Sequence, residues 1–170
     1  QYGDPAGSYA GEGTIGRYNY ARSSCWGRVN ANGNGGGSGH YWIPNIYQVD
    51  RWASGGGGGG NATTGGQGTC QTALDRCLCA GSGGNVVSMG SAELTFGGGG
   101  GAGGAGKYGT EDGQAGGNGG GIIYIAGRTL TINGSLQASG SAGRNAIGSG
   151  ELTGGGGGGG AGGSISLIGS

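Results

Sequence analysis

Short alternating runs of apolar residues, each following a glycine tract, set the pattern of this chain. Tracts at 55–60, 97–101 and 154–160 lead, directly or after an insertion, into Asn85-Val86-Val87-Ser88-Met89, Ile122-Ile123-Tyr124-Ile125 and Ser164-Ile165-Ser166-Leu167-Ile168. Period-two alternation predicts strands: Leu130 and Ile132 fall on one face, Thr129 and Thr131 on the other. A shift of 36 residues superposes Val87 on Ile123 and Leu94 on Leu130, and a shift of 42 places Ile123 on Ile165 and Ile125 on Leu167. Units recurring in this way predict a stacked, solenoid-like body with a thin continuous core.

Between the strands glycine has a period of its own. It falls at every third position from Gly97 through Gly100, Gly103 and Gly106 to Gly109, then resumes at Gly113, Gly116 and Gly119. Three residues per turn is the repeat of the polyproline-II helix, which makes no internal hydrogen bonds. Its backbone groups must then pair with neighbouring segments. The expected fold is all-β and irregular: a short-stranded, glycine-rich β-solenoid-like body with polyglycine-II-type segments. The remaining expected element is a short helical turn at 69–79, where Ala73, Leu74, Cys77 and Leu78 share a face. Too short to persist alone, it would be pinned by disulfides.

Composition sharpens this picture. Glycine supplies 55 of 170 residues, yet the two prolines and the lack of a strict Gly-X-Y register exclude collagen. Val, Ile, Leu and Phe together number only 22, too few for an ordinary core over this length. Disordered chains usually compensate with charge, whereas here eight acids balance eight bases. Cross-links, dense main-chain hydrogen bonding or neighbouring copies are the remaining sources of stability.

Residues 1–54 differ from the glycine-rich body at 55–170. They hold all three tryptophans and six of the eight tyrosines, and they read as a cap or an inter-subunit arm, with 30–39 a loop by composition. Cys25, Cys70, Cys77 and Cys79 form an even set. A Cys77–Cys79 bridge would be strained, so one of these two pairs with Cys70 and the other with Cys25. The N-terminal Gln1, the sequons at Asn61 and Asn133, and the cysteines together suggest a processed, extracellular chain.

The run Gly-Gly-Gly-Ile122-Ile123-Tyr124-Ile125-Ala126-Gly127, then Leu130 to Gly140, then a tract ending Gly-Gly-Ser164-Ile165-Ser166-Leu167-Ile168, resembles the glycine-rich repeats of large secreted and cell-surface proteins. The tracts also look like the polyglycine-II sandwiches of phage tail-fibre adhesins and of the snow flea antifreeze protein. The resemblance covers about residues 81–170 and implies a rigid scaffold.

Familiar active-site patterns are missing from the sequence. No tract is followed by Gly-Lys-Ser/Thr, and Lys107 is the lone lysine. His40 lacks the context of a catalytic triad. Glu111-Asp112 with Asn118 offers too few ligands for calcium, and Cys70, Cys77 and Cys79 lack zinc spacing. The seven arginines are scattered, which disfavours nucleic acid. The expectation is therefore a non-enzymatic chain without cofactor or membrane span: a secreted structural subunit of a filament or surface coat, partnered by copies of itself and by glycans. The alternative is an adhesin module in which Trp26, Tyr41, Trp42 and Trp52 contact glycans or a receptor. Ice binding is a poorer fit, because the glycine register slips after Gly109.

Overall fold

A computed structural model describes residues 31, 34–39, 54–69, 80–87, 93–104, 113–148 and 154–169. Eight extended segments run through it: s1 (34–39), s2 (54–61), s3 (63–69), s4 (80–87), s5 (95–104), s6 (113–121), s7 (138–147) and s8 (154–163). Their main-chain hydrogen bonds recur every third residue. In s2 the N–H groups turn through three neighbours in sequence. Gly55 and Gly58 donate to Thr69 O and Gly66 O of s3, Gly56 and Gly59 to Gly156 O and Gly159 O of s8, and Gly57 and Gly60 to Gly37 O and Asn34 O of s1. Rotation of the donor by a third of a turn per residue is the geometry of a threefold extended helix.

Carbonyls of s2 accept from two further neighbours: Gly81 and Gly84 of s4 bond to Gly55 O and Gly58 O, and Gly101 and Gly104 of s5 bond to Gly57 O and Ser54 O. The neighbours bond to one another as well, which sets the order s3, s4, s1, s5, s8 around s2. Segment s6 joins s5 and s8, through Gly100 N–H to Gly117 O and Gly117 N–H to Gly158 O. Segment s7 joins s6 and s8, through Arg144 N–H to Ala115 O and Gly157 N–H to Arg144 O. The registers make successive segments antiparallel. Even-numbered segments run one way and odd-numbered ones the other.

This lattice replaces an apolar core. Ala80 is the only buried hydrophobic residue among the described residues, and the largest fully buried side chains are Asn34 and Ser38. Packing density comes instead from backbone against backbone, which explains the glycine. A Cβ on Gly57 would land on Ser82 O, one on Gly101 on Gly37 O, and one on Gly158 on Gly57 O. The period-three rows follow the same rule. Gly97, Gly100 and Gly103 abut the carbonyls of Ala161, Gly158 and Gly155, while Gly119, Gly116 and Gly113 abut those of Gly97, Gly100 and Gly103. Space, not handedness, requires these glycines, since Gly148 (φ 88°) is the only glycine with positive φ among the described residues.

At one end of the bundle s6 and s8 pass into strands β1 (Ile122–Gly127) and β2 (Ser164–Gly169), which pair in parallel. The ladder sets Ile123 opposite Ile165 and Ile125 opposite Leu167, so the 42-residue offset of the sequence repeat is also the pairing register. Among the described residues these are the only strands, and no helix is present. Residues 34–39, a loop by composition, are buried inside the bundle. Their Asn-Gly-Gly-Gly-Ser-Gly run supplies main-chain partners to s2, s4 and s5. Most of the helical turn at 69–79 lies outside the described residues.

Candidate assembly surface

Glycine tracts end where side chains take over the pairing. At the β end of the bundle s2 finishes on Asn61, s5 begins near Thr95 and s8 finishes before Ser164. Asn61 Nδ2 donates to Gly162 O (2.8 Å) and Thr95 Oγ1 donates to Asn61 Oδ1 (2.9 Å). Ser164 Oγ donates to Thr95 O (2.9 Å) and accepts from Thr95 N–H (3.0 Å). Asn34 Nδ2 caps Phe96 O at 3.1 Å. These contacts tie the ends of four segments, so what lies beyond them projects from a fixed base.

Beyond them exposed apolar side chains gather, with Asn85, Glu93 and Arg128 also exposed nearby in sequence. Val86 lies near the end of s4, Phe96 precedes Gly97 in s5, Tyr124 lies in β1, and Ile165, Leu167 and Ile168 lie in β2. All six are exposed, Tyr124 by 59%, Phe96 by 54% and Ile168 by 49%. The directions of s4, s5, s6 and s8 bring these four stretches to one end. Both faces of the β1–β2 ribbon carry exposed apolar side chains: registration puts Ile165 and Leu167 on one face, Tyr124 and Ile168 on the other, while Ile122, Ile123 and Ile125 are half-buried. A two-stranded ribbon is marginal alone, and its unpaired edges are templates for a further strand. Scattered exposed hydrophobics are ordinary, but a group of them beside a sheet edge left unpaired among the described residues is a candidate interaction surface.

Other sequence-predicted residues fall elsewhere. Asn133 sits exposed in the 128–135 connection. Asn61 is only 8% exposed and its carboxamide is engaged at both ends, so the folded chain offers little room for a sugar there. Cys25, Cys70, Cys77, Cys79, Trp26, Tyr41, Trp42, Trp52, His40, Lys107, Glu111 and Asp112 lie outside the described residues. Asn118 is exposed on s6, where its N–H bonds Ser141 Oγ at 2.8 Å. No group of three or more His, Cys, Asp or Glu able to hold a metal occurs among the described residues. No described helix is long and apolar enough to cross a membrane.

Sequence reasoning missed the cluster of Asn61, Thr95 and Ser164. The signal was there: each is a hydrogen-bonding residue at the boundary of a glycine tract. Asn61, however, reads first as a sequon and Thr95 as part of a strand. Comparison with known proteins adds nothing further: no family model, curated protein or solved structure matches this chain.

Proposed function

We propose that the chain is a structural subunit of an extracellular filament or surface coat, built from copies of itself and carrying glycan at Asn133. The observation that carries this reading is the apolar end, where Val86, Phe96, Tyr124, Ile165, Leu167 and Ile168 stand exposed around an unpaired β ribbon. A main-chain lattice with almost no buried apolar side chain gains little from burying these residues within the chain. Contact between copies would bury them, at roughly 25 cal/mol per Å² of apolar area. Zero formal net charge leaves little repulsion to oppose that contact. The extracellular assignment is supported by the even cysteine count and the exposed Asn133 sequon.

Negative-stain microscopy of wild type and Leu167→Lys tests the reading. Leu167 is 46% exposed and stands opposite Ile125, so the substitution should cost about 1 kcal/mol. Wild type should form filaments or sheets, and the variant should stay dispersed while remaining folded. Wild type that remains monomeric at all concentrations would refute assembly.

A further inference from the structure

Around s2 a hexagonal lattice has six places, and described segments fill five. The sixth lies between s3 and s8. There the structure has a groove of about 920 Å³ whose walls are s2, s3 and s8, with residues 144–146 of s7 at its margin. Two features bear on what it can hold.

First, its walls carry unused main-chain groups in register. Every carbonyl of s2 from Ser54 to Asn61 accepts a main-chain hydrogen bond except those of Gly56 and Gly59, three residues apart. The threefold rotation that aims the other carbonyls at s4 and s5 aims these two at the groove. In s8, N–H groups of 155, 158 and 161 bond s5, and those of 157, 160 and 163 bond s7. The third set, Gly156, Gly159 and Gly162, donates to nothing among the described residues, and all three glycines line the groove. One wall thus presents acceptors and the other donors, with the same three-residue repeat.

Second, glycine is kept here without need. On other outward positions the lattice carries side chains, such as Ser82, Asn85, Ala102, Ala115 and Asn118. Thr64, Gln67 and Ala161 also line the groove, but Gly58, Gly66 and Gly159 remain glycine although the described residues leave room for more. A Cβ on Gly66 would meet nothing within 4 Å, one on Gly159 only Ser141 O at 3.8 Å, and one on Gly58 only ordinary contacts of 3.4–3.6 Å with Gly66 and Gly159. Close approach by something external would account for these glycines, which packing among the described residues does not.

We propose that the groove takes an extended glycine-rich segment of a second copy of this chain, which becomes the sixth neighbour of s2. The occupant must donate to Gly56 O and Gly59 O and accept from the Gly156, Gly159 and Gly162 N–H groups. Over the length of s2 that requires about six residues, roughly 19 Å at 3.1 Å per residue. With three contiguous neighbours it stands where s6 stands between s5, s8 and s7. In s6 two of every three residues are glycine, and the occupant needs the same density. Residues 1–30, 40–53, 70–79, 88–92, 105–112 and 149–153 contain no run of that density, and on the self-assembly reading the segment comes from a second copy. The wall is uncharged apart from Arg144 at its margin, as a neutral polyglycine backbone requires.

This rests on the self-assembly reading but names a different contact from the apolar end, so the two fail separately. Site-resolved amide exchange is measured on dispersed and assembled wild type, with sedimentation of wild type and Gly58→Leu. At 58 a Cβ makes only ordinary contacts, with Gly66 and Gly159 on the groove's walls. Gly156, Gly159 and Gly162 should exchange freely when dispersed and at least 100-fold more slowly when assembled, and Gly58→Leu should weaken association at least tenfold. Filaments in which the three amides stay unprotected would overturn the groove contact and leave end-to-end assembly standing. Protection already present in the dispersed monomer would overturn the second copy and assign the occupant to the same chain. Closed dimers with protected amides would uphold the groove and overturn the filament. A chain that never associates would overturn both. Should Gly58→Leu not fold, the wild-type exchange pattern decides alone.

Discussion

Segments s2 and s7 have the same extended, hydrogen-bonded conformation and very different sequences. Six consecutive glycines fill s2 from 55 to 60, whereas s7 reads Ala-Ser-Gly-Ser-Ala-Gly-Arg-Asn-Ala-Ile from 138 to 147. The difference follows the number of neighbours among the described segments. Segment s2 has five, and Cβ atoms on Gly56, Gly57, Gly59 and Gly60 would each strike a carbonyl of s4 or s5. Segment s7 has two, s6 and s8, and retains glycine only at 140 and 143, where a Cβ would meet Gly160 and Gly157. Ser139, Ala142, Arg144 and Asn145 are exposed. Segment s6 is intermediate: Gly116, Gly119, Gly117 and Gly120 face s5 and s7, while Ala115 and Asn118 face out. Glycine density in this fold measures coordination, not slackness.

That comparison is most sharply broken at Gly57. Its N–H bonds Gly37 O at 2.8 Å and its carbonyl accepts from Gly101 N–H at 2.9 Å. A methyl group directed at Ser82 O can be relieved only by moving backbone that is bonded on several sides. Overpacking of an ordinary core costs about 1–3 kcal/mol, and Gly57→Ala should cost about 3 kcal/mol or more because no side chain can yield. Ser141→Ala in s7 should change stability by less than about 1 kcal/mol, the worth of one exposed side-chain hydrogen bond. Thermal unfolding followed by circular dichroism compares the two, and equal losses would refute the link between glycine and coordination.

At the boundary of the lattice the expected loss is smaller. Asn61 holds Gly162 O and Thr95 Oγ1 at once and is buried. Asn61→Ala leaves both groups without that partner and should destabilise by about 1–3 kcal/mol. Asn61→Asp should be at least as harmful, because an ionised carboxylate cannot donate to Gly162 O and would face a carbonyl instead. Melting temperatures of the two variants, measured against Asn133→Ala as an exposed control with an expected change within about 0.5 kcal/mol, check this.

How far the fold could be read from the chain depends on which interactions leave a trace in residue type. The three-residue spacing of Gly97, Gly100 and Gly103 is visible because each missing side chain faces a neighbour's carbonyl. Likewise the parallel register of β1 and β2 is visible in the paired repeats at Ile123 and Ile165. Which segments are neighbours leaves far less trace. Main-chain hydrogen bonds are the same for every residue, so nothing in the run 55–60 says that Gly56 bonds s8 while Gly57 bonds s1. For the same reason Asn34 to Gly39 reads as a loop although it is buried against three segments. At the apolar end Ser164 to Ile168 is legible as an open-edged strand. The approach of Val86 and Phe96 to it depends on segment directions that only the folded lattice defines.

The smallest expected effect lies inside one segment and has the opposite sign. Gly158 and Gly159 are adjacent in s8, and neither has positive φ. At 158 a Cβ would land on Gly57 O; at 159 its nearest neighbour is Ser141 O at 3.8 Å. In the dispersed chain Gly159→Ala therefore meets no obstacle in the folded state and restricts the unfolded one. A substitution of this kind stabilises by about 0.4–1 kcal/mol. Gly158→Ala gains the same restriction and loses far more to the clash. A melting temperature raised by the first and lowered by the second would show that neighbouring glycines serve different purposes: one is required by the chain's own lattice, and the other keeps the groove beside s2 open. If both substitutions destabilise alike, the outward positions of s8 are not open, and the groove is not a built feature of the bundle.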